Sequence, residues 1–262
     1  MTGGQVDMDT LERKINLLDE RLTFLETENK RLQKANDILE IQNVMSLHEY
    51  YHGAGKHREE LEAIWAQQAP DVAFEEAAVH GRYVGLEAVR GFFVAFFGRF
   101  FELMLEETRR IFPQLKDEPE DKLPFGVQIL HTLTTPVIEV AEDGATAKGV
   151  WLSPGHVTLP MDGRLQAYWH WDRYAVDFIR ENRKWKIWHL FVGKDFTTPY
   201  EKSWVNAALD SESPPQLEDV PGFPKPNAKP LHSYSEYSPF KVAEYKPRPP
   251  KPYRTFSETF SY

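Results

Sequence analysis

The chain has 262 residues, a formal net charge of −9 and no cysteine. It lacks a concentrated positive surface, which argues against a nucleic-acid partner, and the lack of cysteine excludes disulfides and thiolate nucleophiles. No run reaches the roughly 18 apolar residues of a membrane-spanning helix and MTGGQVDMDT shows no secretory signal, so we expect a cytoplasmic protein without a membrane partner.

Residues 1–39 are predicted to form an oligomerising helix. Leucine recurs every seven residues from Leu11 to Leu39, and a second series completes the heptads: Ile15, Leu22, Asn29, Asn36 and Asn43. This 3.5-residue period is typical of a left-handed coiled coil, in which asparagine in the seam favours a parallel dimer. The pattern predicts a homo-oligomer, either a dimer or a trimer. The alternative is a long helix that lies on its own domain.

Residues 40–208 are predicted to form one globular domain. The first helix continues through IQNVMSLHEYYH, a second covers HREELEAIWAQQ, VAFEEAAV is a short strand, and LEAVRGFFVAFFGRFFELMLEETRRIF is a long aromatic helix. Four strand-like runs follow, joined by hairpin-type turns: GVQILHTLTTPVIEV, ATAKGVWLSPGHV, LQAYWHWDRYAVDFIR and KWKIWHLFV. Helices followed by an antiparallel meander predict an α+β fold, with helices on one face of a curling sheet.

Residues 209–262 have a different composition, with eleven prolines and nine aromatic residues. Proline prevents regular helices and strand ladders, whereas a disordered tail normally lacks aromatic residues. We therefore predict an extended arm that lies in a groove of its own or a neighbouring subunit. The alternative is a flexible tail.

Several stretches of residues 40–208 resemble the SnoaL-like, or nuclear-transport-factor-2-like (NTF2-like), superfamily. They are the helical hairpin IQNVMSLHEYYHGAGKHREELEAIWA, the junction HGRYVGLEAVRGFF, the hairpin ILHTLTTPVIEVAEDGATAKGVW and the closing strands YWHWDRYAVDFIRENRKWKIWHLFV. The resemblance implies a cone-shaped α+β domain. This fold hosts dehydratases, cyclases, isomerases, dehydrohalogenases and noncatalytic binding proteins, so activity must be argued from the site.

Scytalone dehydratase and hexachlorocyclohexane dehydrochlorinase are the catalytic members that guide the comparison. Both are similar in placing a histidine where His131 stands, and the dehydratase has a second near the position of His156. Their dyad also uses an aspartate where this chain has approximately Gly53, which leaves the second acid–base group open. The long first helix and trailing arm also resemble cofactorless lyases that deformylate lignin-derived diarylpropanes.

Residue periodicity supplies further candidates. His131 shares strand parity with apolar neighbours, so we expect it to face the interior as an acid–base group. Glu76 is also predicted to face inward, with Glu75 in solvent. On the first helix, a polar group interrupts the apolar stripe at three positions: His48, Tyr51 and His52. A shift of one residue would exchange Tyr51 for Tyr50.

In the third meander strand, one face carries four polar candidates for substrate binding: Tyr168, His170, Asp172 and Tyr174. We predict that this face lines the interior. In the last strand, His189 shares parity with Trp185 and Ile187 and is predicted to be a packed core group. No histidine–carboxylate set has recognisable ligand spacing, so no metal or other cofactor is expected.

These residues and the resemblance together predict a cofactor-independent lyase acting on a hydrophobic aromatic or polycyclic small molecule. His131 is the expected base, with His156, Tyr51, His52 or Glu76 as its acid–base partner. Two alternatives remain. One is an isomerase or cyclase that uses the same base, and the other is a binding protein that performs no chemistry.

Overall fold

The computed structural model describes residues 8–77, 81–117, 126–210, 221–244 and 246–256. The α-helices in these ranges are α1 Met8–Gly53, α2 His57–Ile64, α3 Leu86–Arg90, α4 Phe97–Ile111 and α5 Trp204–Leu209. A π-helical segment, Gly91–Phe96, joins α3 to α4, and a 3-10 turn, Pro113–Leu115, follows α4. The strands are β1 Ala73–Glu76, β2 Gly81–Val84, β3 Gln128–His131, β4 Thr134–Val140, β5 Thr146–Met161, β6 Arg164–Glu181 and β7 Lys184–Pro199.

The strands form one curved sheet in the order β2-β1-β7-β6-β5-β3, with β4 also paired to β5. β1 runs parallel to β7 and the other pairs are antiparallel. The long hairpins turn at 162–163 and 182–183, where all four residues have positive φ, as two-residue turns matched to strand twist require. The α+β prediction is confirmed. The first predicted meander strand is divided into β3 and β4, and β7 extends beyond the predicted run.

One face of the sheet, here the inner face, packs against the helices. The buried core joins apolar residues of α1 and α2, the phenylalanines of the α3–α4 helix, and alternate residues of the strands, such as Phe74, Tyr174, Val176 and Ile187. Burying these large side chains supplies the main stabilisation of the domain. Polar residues that project from the inner face are therefore removed from solvent.

Helix α1 has two parts that differ in their surroundings. From Asp37 onward it is packed on the domain; the Asp37 carboxylate accepts hydrogen bonds from Trp185 Nε1 at 3.2 Å and from Arg180. Before that point the heptad leucines are exposed, by 41% at Leu11 and 66% at Leu32. The helix therefore extends away from the domain with its apolar stripe in solvent.

The described part of the C-terminal arm starts beside the helices, where the Phe223 ring is 4.9 Å from the Phe96 ring, and then passes β2 to the opposite, outer face of its own sheet. The Tyr83 hydroxyl donates to the Pro224 carbonyl at 2.8 Å, and the ring of Tyr234 packs on Gly193. The Glu75 carboxylate is buried here, because the arm covers it and supplies backbone donors. The expectation that Glu75 lies in solvent is therefore wrong. Near the end of the described chain, the Phe256 ring lies 4.4 Å from the Trp188 ring.

Candidate functional site

Strand register places His131 beside two residues of the neighbouring strands. His131 pairs with Gly155 of β5, which pairs with His170 of β6. A Cβ atom on Gly155 would lie 2.4 Å from the Leu130 carbonyl oxygen and 3.3 Å from the His131 Cα. Glycine is therefore what allows β3 to approach β5 at the histidine. The side chains of His131, His170 and Asp172 meet on the inner face.

The Asp172 carboxylate lies between the two imidazoles. Its Oδ2 atom is 2.8 Å from His170 Nε2 and 3.4 Å from His131 Nδ1. The other nitrogen of His170 is held by Thr197 Oγ1 at 2.8 Å. Burial alone would raise the pKa of Asp172, but the two histidines outweigh it and the pKa is lowered. Burial would lower the pKa of His131; the Asp172 carboxylate reverses this and the pKa is raised.

A second buried carboxylate, Glu60 of α2, is surrounded in a similar way. It lies 2.7 Å from His48 Nδ1 and 3.1 Å from His57 Nδ1, and it accepts a hydrogen bond from Trp65 Nε1 at 2.9 Å. Burial opposes ionisation of Glu60, yet the histidines lower its pKa. Burial likewise opposes the charge on His48, but Glu60 raises the pKa of that imidazole.

His52 lies between these two groups. Its ring centroid is 5.4 Å from that of His131 and 5.1 Å from that of His57. Burial lowers the pKa of His52 well below its usual value, and the neighbouring histidines lower it further. His52 is therefore a neutral imidazole between two carboxylate-paired histidine groups.

Glu49 and Tyr174 complete a set of buried and half-buried residues, here called the polar cluster: His48, Glu49, His52, His57, Glu60, His131, His170, Asp172 and Tyr174. Burial raises the pKa of Glu49 against the opposing charges of His48 and His131. Burial, with the nearby Glu49 and Asp172, raises the pKa of Tyr174 well above its usual value. The cluster thus contains carboxyl groups whose pKa values are shifted in opposite directions.

Several shielded polar atoms of the cluster lack a well-formed hydrogen bond from the described residues. They are both carboxyl oxygens of Glu49, His52 Nδ1, His57 Nε2, His131 Nδ1, Asp172 Oδ1 and, next to Asp172 in register, Ser153 Oγ. Buried polar atoms rarely remain unpaired. A polar ligand or water bound in the cluster would satisfy these atoms.

Aromatic rings of the α3–α4 helix cover one side of the cluster. Phe97 lies 4.9 Å from the His57 ring and 5.5 Å from the His52 ring, and Phe93 is 5.6 Å from His57. These apolar rings keep the local dielectric low, which strengthens the interactions among the charged groups.

The structure brings together many of the predicted site residues. His131, His52, His48, His170, Asp172 and Tyr174 all belong to the polar cluster. Glu76 lies on the inner face, in register through Val192 with Tyr174, and its charge contributes to the raised pKa of Tyr174.

Other candidates are placed elsewhere. Tyr50 is 80% exposed, so the alternative register of α1 is wrong. Tyr51 packs against the apolar core. Tyr168 lies further along β6, where its hydroxyl donates to Gln166 Oε1 at 3.1 Å. His156 pairs with Leu130 and Trp169, on the opposite sheet face from His131, and its Nε2 is 3.0 Å from Gln128 Oε1.

His189 is buried, but it does not share a face with Trp185 and Ile187 as predicted. A β-bulge between Asp177 and Phe178 shifts the register and turns His189 to the outer face. There His189 Nδ1 is 3.0 Å from Asp177 Oδ2, and Lys148 donates to the other oxygen of Asp177 at 3.0 Å.

Sequence reasoning missed Glu49, His57 and Glu60. The helical spacing of His57, Glu60, Leu61 and Ile64 was a usable signal, because these positions share one face and all are buried. Glu49 carried no such signal, since it lies beside the apolar stripe of α1 and not within it.

One ring nitrogen each from His131 and His170 and one carboxylate oxygen from Asp172 lie within 4.8 Å of one another. Among the described residues, this is the group whose side chains could hold a metal ion. The residues come from separate strands, so sequence spacing could not show the set. The 2.8 Å contact of Asp172 with His170 is that of a hydrogen bond. We interpret the set as a carboxylate shared by two imidazoles.

A SnoaL-like domain profile matches residues 33–190, more than half of the chain. The chain belongs to the SnoaL-like family. Similar solved structures include hexachlorocyclohexane dehydrochlorinase LinA-type3 from Novosphingobium barchaimii, with 17% identity over 67% of this chain and 96% of that chain, at a TM-score of 0.43. A proposed scytalone dehydratase from Novosphingobium aromaticivorans has 12% identity over 67% and 93%, at 0.45. No curated protein matches the sequence significantly.

Two further features of this SnoaL-like chain lie outside the cluster. A cleft of about 550 Å³ separates the end of α4 from the β5–β6 hairpin and is lined by residues such as Met104 and Met161. No residue of the polar cluster lines it. Among the described helices, none combines the length and apolar character needed to span a bilayer.

Proposed function

We propose that this protein is a lyase of the dehydratase type, which acts by acid–base catalysis on a hydrophobic aromatic or polycyclic small molecule without a cofactor. The observation that carries the proposal is the buried pair of His131 and Asp172. A carboxylate beside an imidazole orients the ring and makes it a stronger base. Above its raised pKa, His131 is neutral and can accept a proton.

Two eliminations suit this base. In a dehydration, His131 takes a proton from carbon, the electron pair forms a C=C bond, and the neighbouring C–O bond breaks to give water. In a deformylation, His131 takes the proton of a hydroxymethyl group and the C–C bond to that group breaks to release formaldehyde. The freed electron pair forms a C=C bond as the hydroxyl on the adjacent carbon leaves as water. We propose lignin-derived diarylpropanes as a substrate class for the second reaction. Both reactions need a proton donor at the departing oxygen.

The surroundings of the pair support this chemistry. Phenylalanine rings of α3–α4 contact the neighbouring histidines and are suited to stack on aromatic substrate rings. Preorganised charges act strongly where water is excluded, and a positioned acid or base contributes roughly 10²–10⁴-fold in rate.

We further propose that α1 assembles the protein into a homo-oligomer. The heptad leucines are exposed in the single chain, including Leu18 at 63% and Leu25 at 61%. A second copy would bury this stripe and pair its flanking charges, with Lys14 facing Asp19 of the other copy.

The function is tested by incubating the protein with aromatic diols and diarylpropanes, without added cofactor and with EDTA, and analysing products by mass spectrometry. A lyase gives a product of lower mass. An isomerase or cyclase leaves the mass unchanged, and a binding protein gives no product. His131→Gln and Asp172→Asn should reduce turnover by about 10²–10⁴-fold.

The matched control is His189→Gln. His189 and Asp177 form the same kind of buried pair, at 3.0 Å, but on the outer face. This variant should lose stability as the inner-face variants do and yet retain turnover per folded molecule. Wild-type turnover in His131→Gln would remove the assignment of the base.

A further inference from the structure

We propose that Glu49 is the proton donor of the polar cluster, the group that protonates the departing oxygen while His131 removes the substrate proton. The inference rests on the elimination proposed above and names a residue that the sequence did not single out. It starts from the way in which α1 meets β3.

The C-terminal end of α1 lies against β3 without an intervening side chain. A Cβ atom on Gly53 would be 3.0 Å from the Ile129 carbonyl oxygen, and Ile129 is two residues before His131. Glu49 precedes Gly53 by four residues, about one helical turn, and therefore lies on the same side of α1. Its immediate helix neighbours His48 and His52 are both in the cluster, and the His52 ring is 5.4 Å from the His131 ring.

The Glu49 carboxyl group is shielded from solvent. Neither of its oxygens receives a well-formed hydrogen bond within the described part of the chain. The charged and titratable groups that face it are His48 on α1, His131 on β3, and Asp172 and Tyr174 on β6. Burial and the Asp172 charge raise the pKa of this carboxyl and favour its protonated form, which can donate, although the charges of His48 and His131 and a contact with the Tyr174 hydroxyl act in the opposite direction.

Four other groups of the cluster are less suited to this role. Asp172 and Glu60 are held ionised by pairs of histidines, so they carry no proton to give. The pKa of Tyr174 is raised, which makes its phenol a weaker acid. His52 is neutral, because burial lowers its pKa. Glu49 is the remaining carboxyl with a raised pKa.

The proton balance of the step is complete. His131 gains the proton that leaves the substrate, the freed electron pair forms the C=C bond, and the C–O bond breaks. Glu49 gives its proton to that oxygen, which departs as water, and is left ionised. The site is reset when the protons carried by His131 and lost by Glu49 exchange with solvent.

The test compares two leaving groups in the wild type, Glu49→Gln and His131→Gln. Glutamine has nearly the same shape as glutamate but no acidic proton. With a hydroxyl leaving group, Glu49→Gln should lower kcat by about 10²–10⁴-fold with little change in KM. With a chloride in place of that hydroxyl, which departs without protonation, Glu49→Gln should regain most of the wild-type rate. His131→Gln should stay slow on both.

The pH profile gives a second readout. The wild type requires neutral His131 and protonated Glu49, so its rate should rise and then fall with increasing pH. Glu49→Gln should keep the rise and lose the alkaline fall, because its rate then requires only that His131 is neutral. The control is Glu62→Gln, a change at an exposed position of α2. It should retain the two-limbed profile, that is, both the rise and the alkaline fall.

The outcomes separate the two proposals. Equal losses on both leaving groups, with the two-limbed profile retained, would show that Glu49 is only structural and would overturn this inference while the lyase stands. Wild-type rates in Glu49→Gln would do the same. A wild type that is inert on both leaving groups would overturn the proposed function and this inference with it. Glu49→Asp keeps a carboxylic acid on a shorter side chain. On the substrate with the hydroxyl leaving group, it should therefore turn over faster than Glu49→Gln.

Discussion

Replacing Glu75 by glutamine should release the C-terminal arm from the outer face without disturbing the inner-face site. The Glu75 carboxylate accepts hydrogen bonds from the backbone amides of Leu231, at 3.1 Å, and His232, at 2.9 Å. Arg82 Nε is 3.5 Å from the same carboxylate. A single buried charge thus fixes two consecutive arm residues to β1.

The magnitude follows from the loss of that charge. A hydrogen bond to a charged acceptor contributes about 1.5–3 kcal/mol, roughly twice the value for a neutral one. Glutamine keeps one carbonyl oxygen but weakens both amide bonds and leaves Arg82 facing an uncharged amide. We expect the docked arm to lose about 2–4 kcal/mol, which is about a 30- to 1,000-fold change in the docking equilibrium.

Amide hydrogen exchange measures this change directly. The amides of Leu231 and His232 should exchange faster in Glu75→Gln by that factor, while core amides of β6 keep their rates. The control is Glu87→Gln, because the Glu87 side chain is 88% exposed in its pair with Arg90. Unchanged exchange at both arm amides would refute the idea that this carboxylate holds the arm.

Two further predictions concern the approach of β3 to β5 and the assembly of α1. Gly155→Ala should displace His131, because the new Cβ would lie 2.4 Å from the Leu130 carbonyl oxygen, and turnover should fall by up to about 10²-fold. The control is Gly98→Ala, whose Cβ would meet no atom within 4 Å. Equal turnover in the two variants would contradict the reasoning. The double variant Leu18→Glu/Leu25→Glu should lower the mass measured by light scattering to that of one 30.5 kDa chain, because charges in the seam oppose a coiled coil. Leu17→Glu, at an exposed position outside the apolar heptad series, should leave the mass unchanged. An unchanged mass in the double variant would reject the coiled coil.

The fold was largely predictable because its signals are local. The aromatic helix, the long hairpins and the turn at 162–163 follow from helical spacing, strand alternation and an Asp-Gly pair. Alternation places Asp172 and Tyr174 on one face of β6, although it does not show which of the two faces lines the interior. These local patterns extend over most of the domain, so the α+β class followed from them.

The polar cluster could be predicted only in part, because it depends on register between strands that are distant in sequence. Nothing in the spacing of His131 and Asp172, 41 residues apart, shows that β5 places them on adjacent sites. One bulge turns His189 to the outer face, and alternation cannot show where a bulge occurs. The burial of Glu75 depends on a segment about 155 residues later in the chain.

His52 links the electrostatics of the cluster to the stability of the fold, and the sign of that link can be tested. Burial, and then the charge of His57, lower the pKa of His52 well below its usual value. When pH falls below about 6.5, the unfolded chain takes up a proton that folded His52 refuses, so stability is lost as pH decreases. Glutamine cannot titrate, and the packing that it loses is the same at every pH. The free energy of unfolding of His52→Gln, measured in urea and taken relative to the wild type, should therefore be higher at about pH 5 than at about pH 7.5. An equal stability difference at the two pH values would mean that His52 carries its proton in the folded state, and a neutral imidazole could not then lie between the two carboxylate-paired groups.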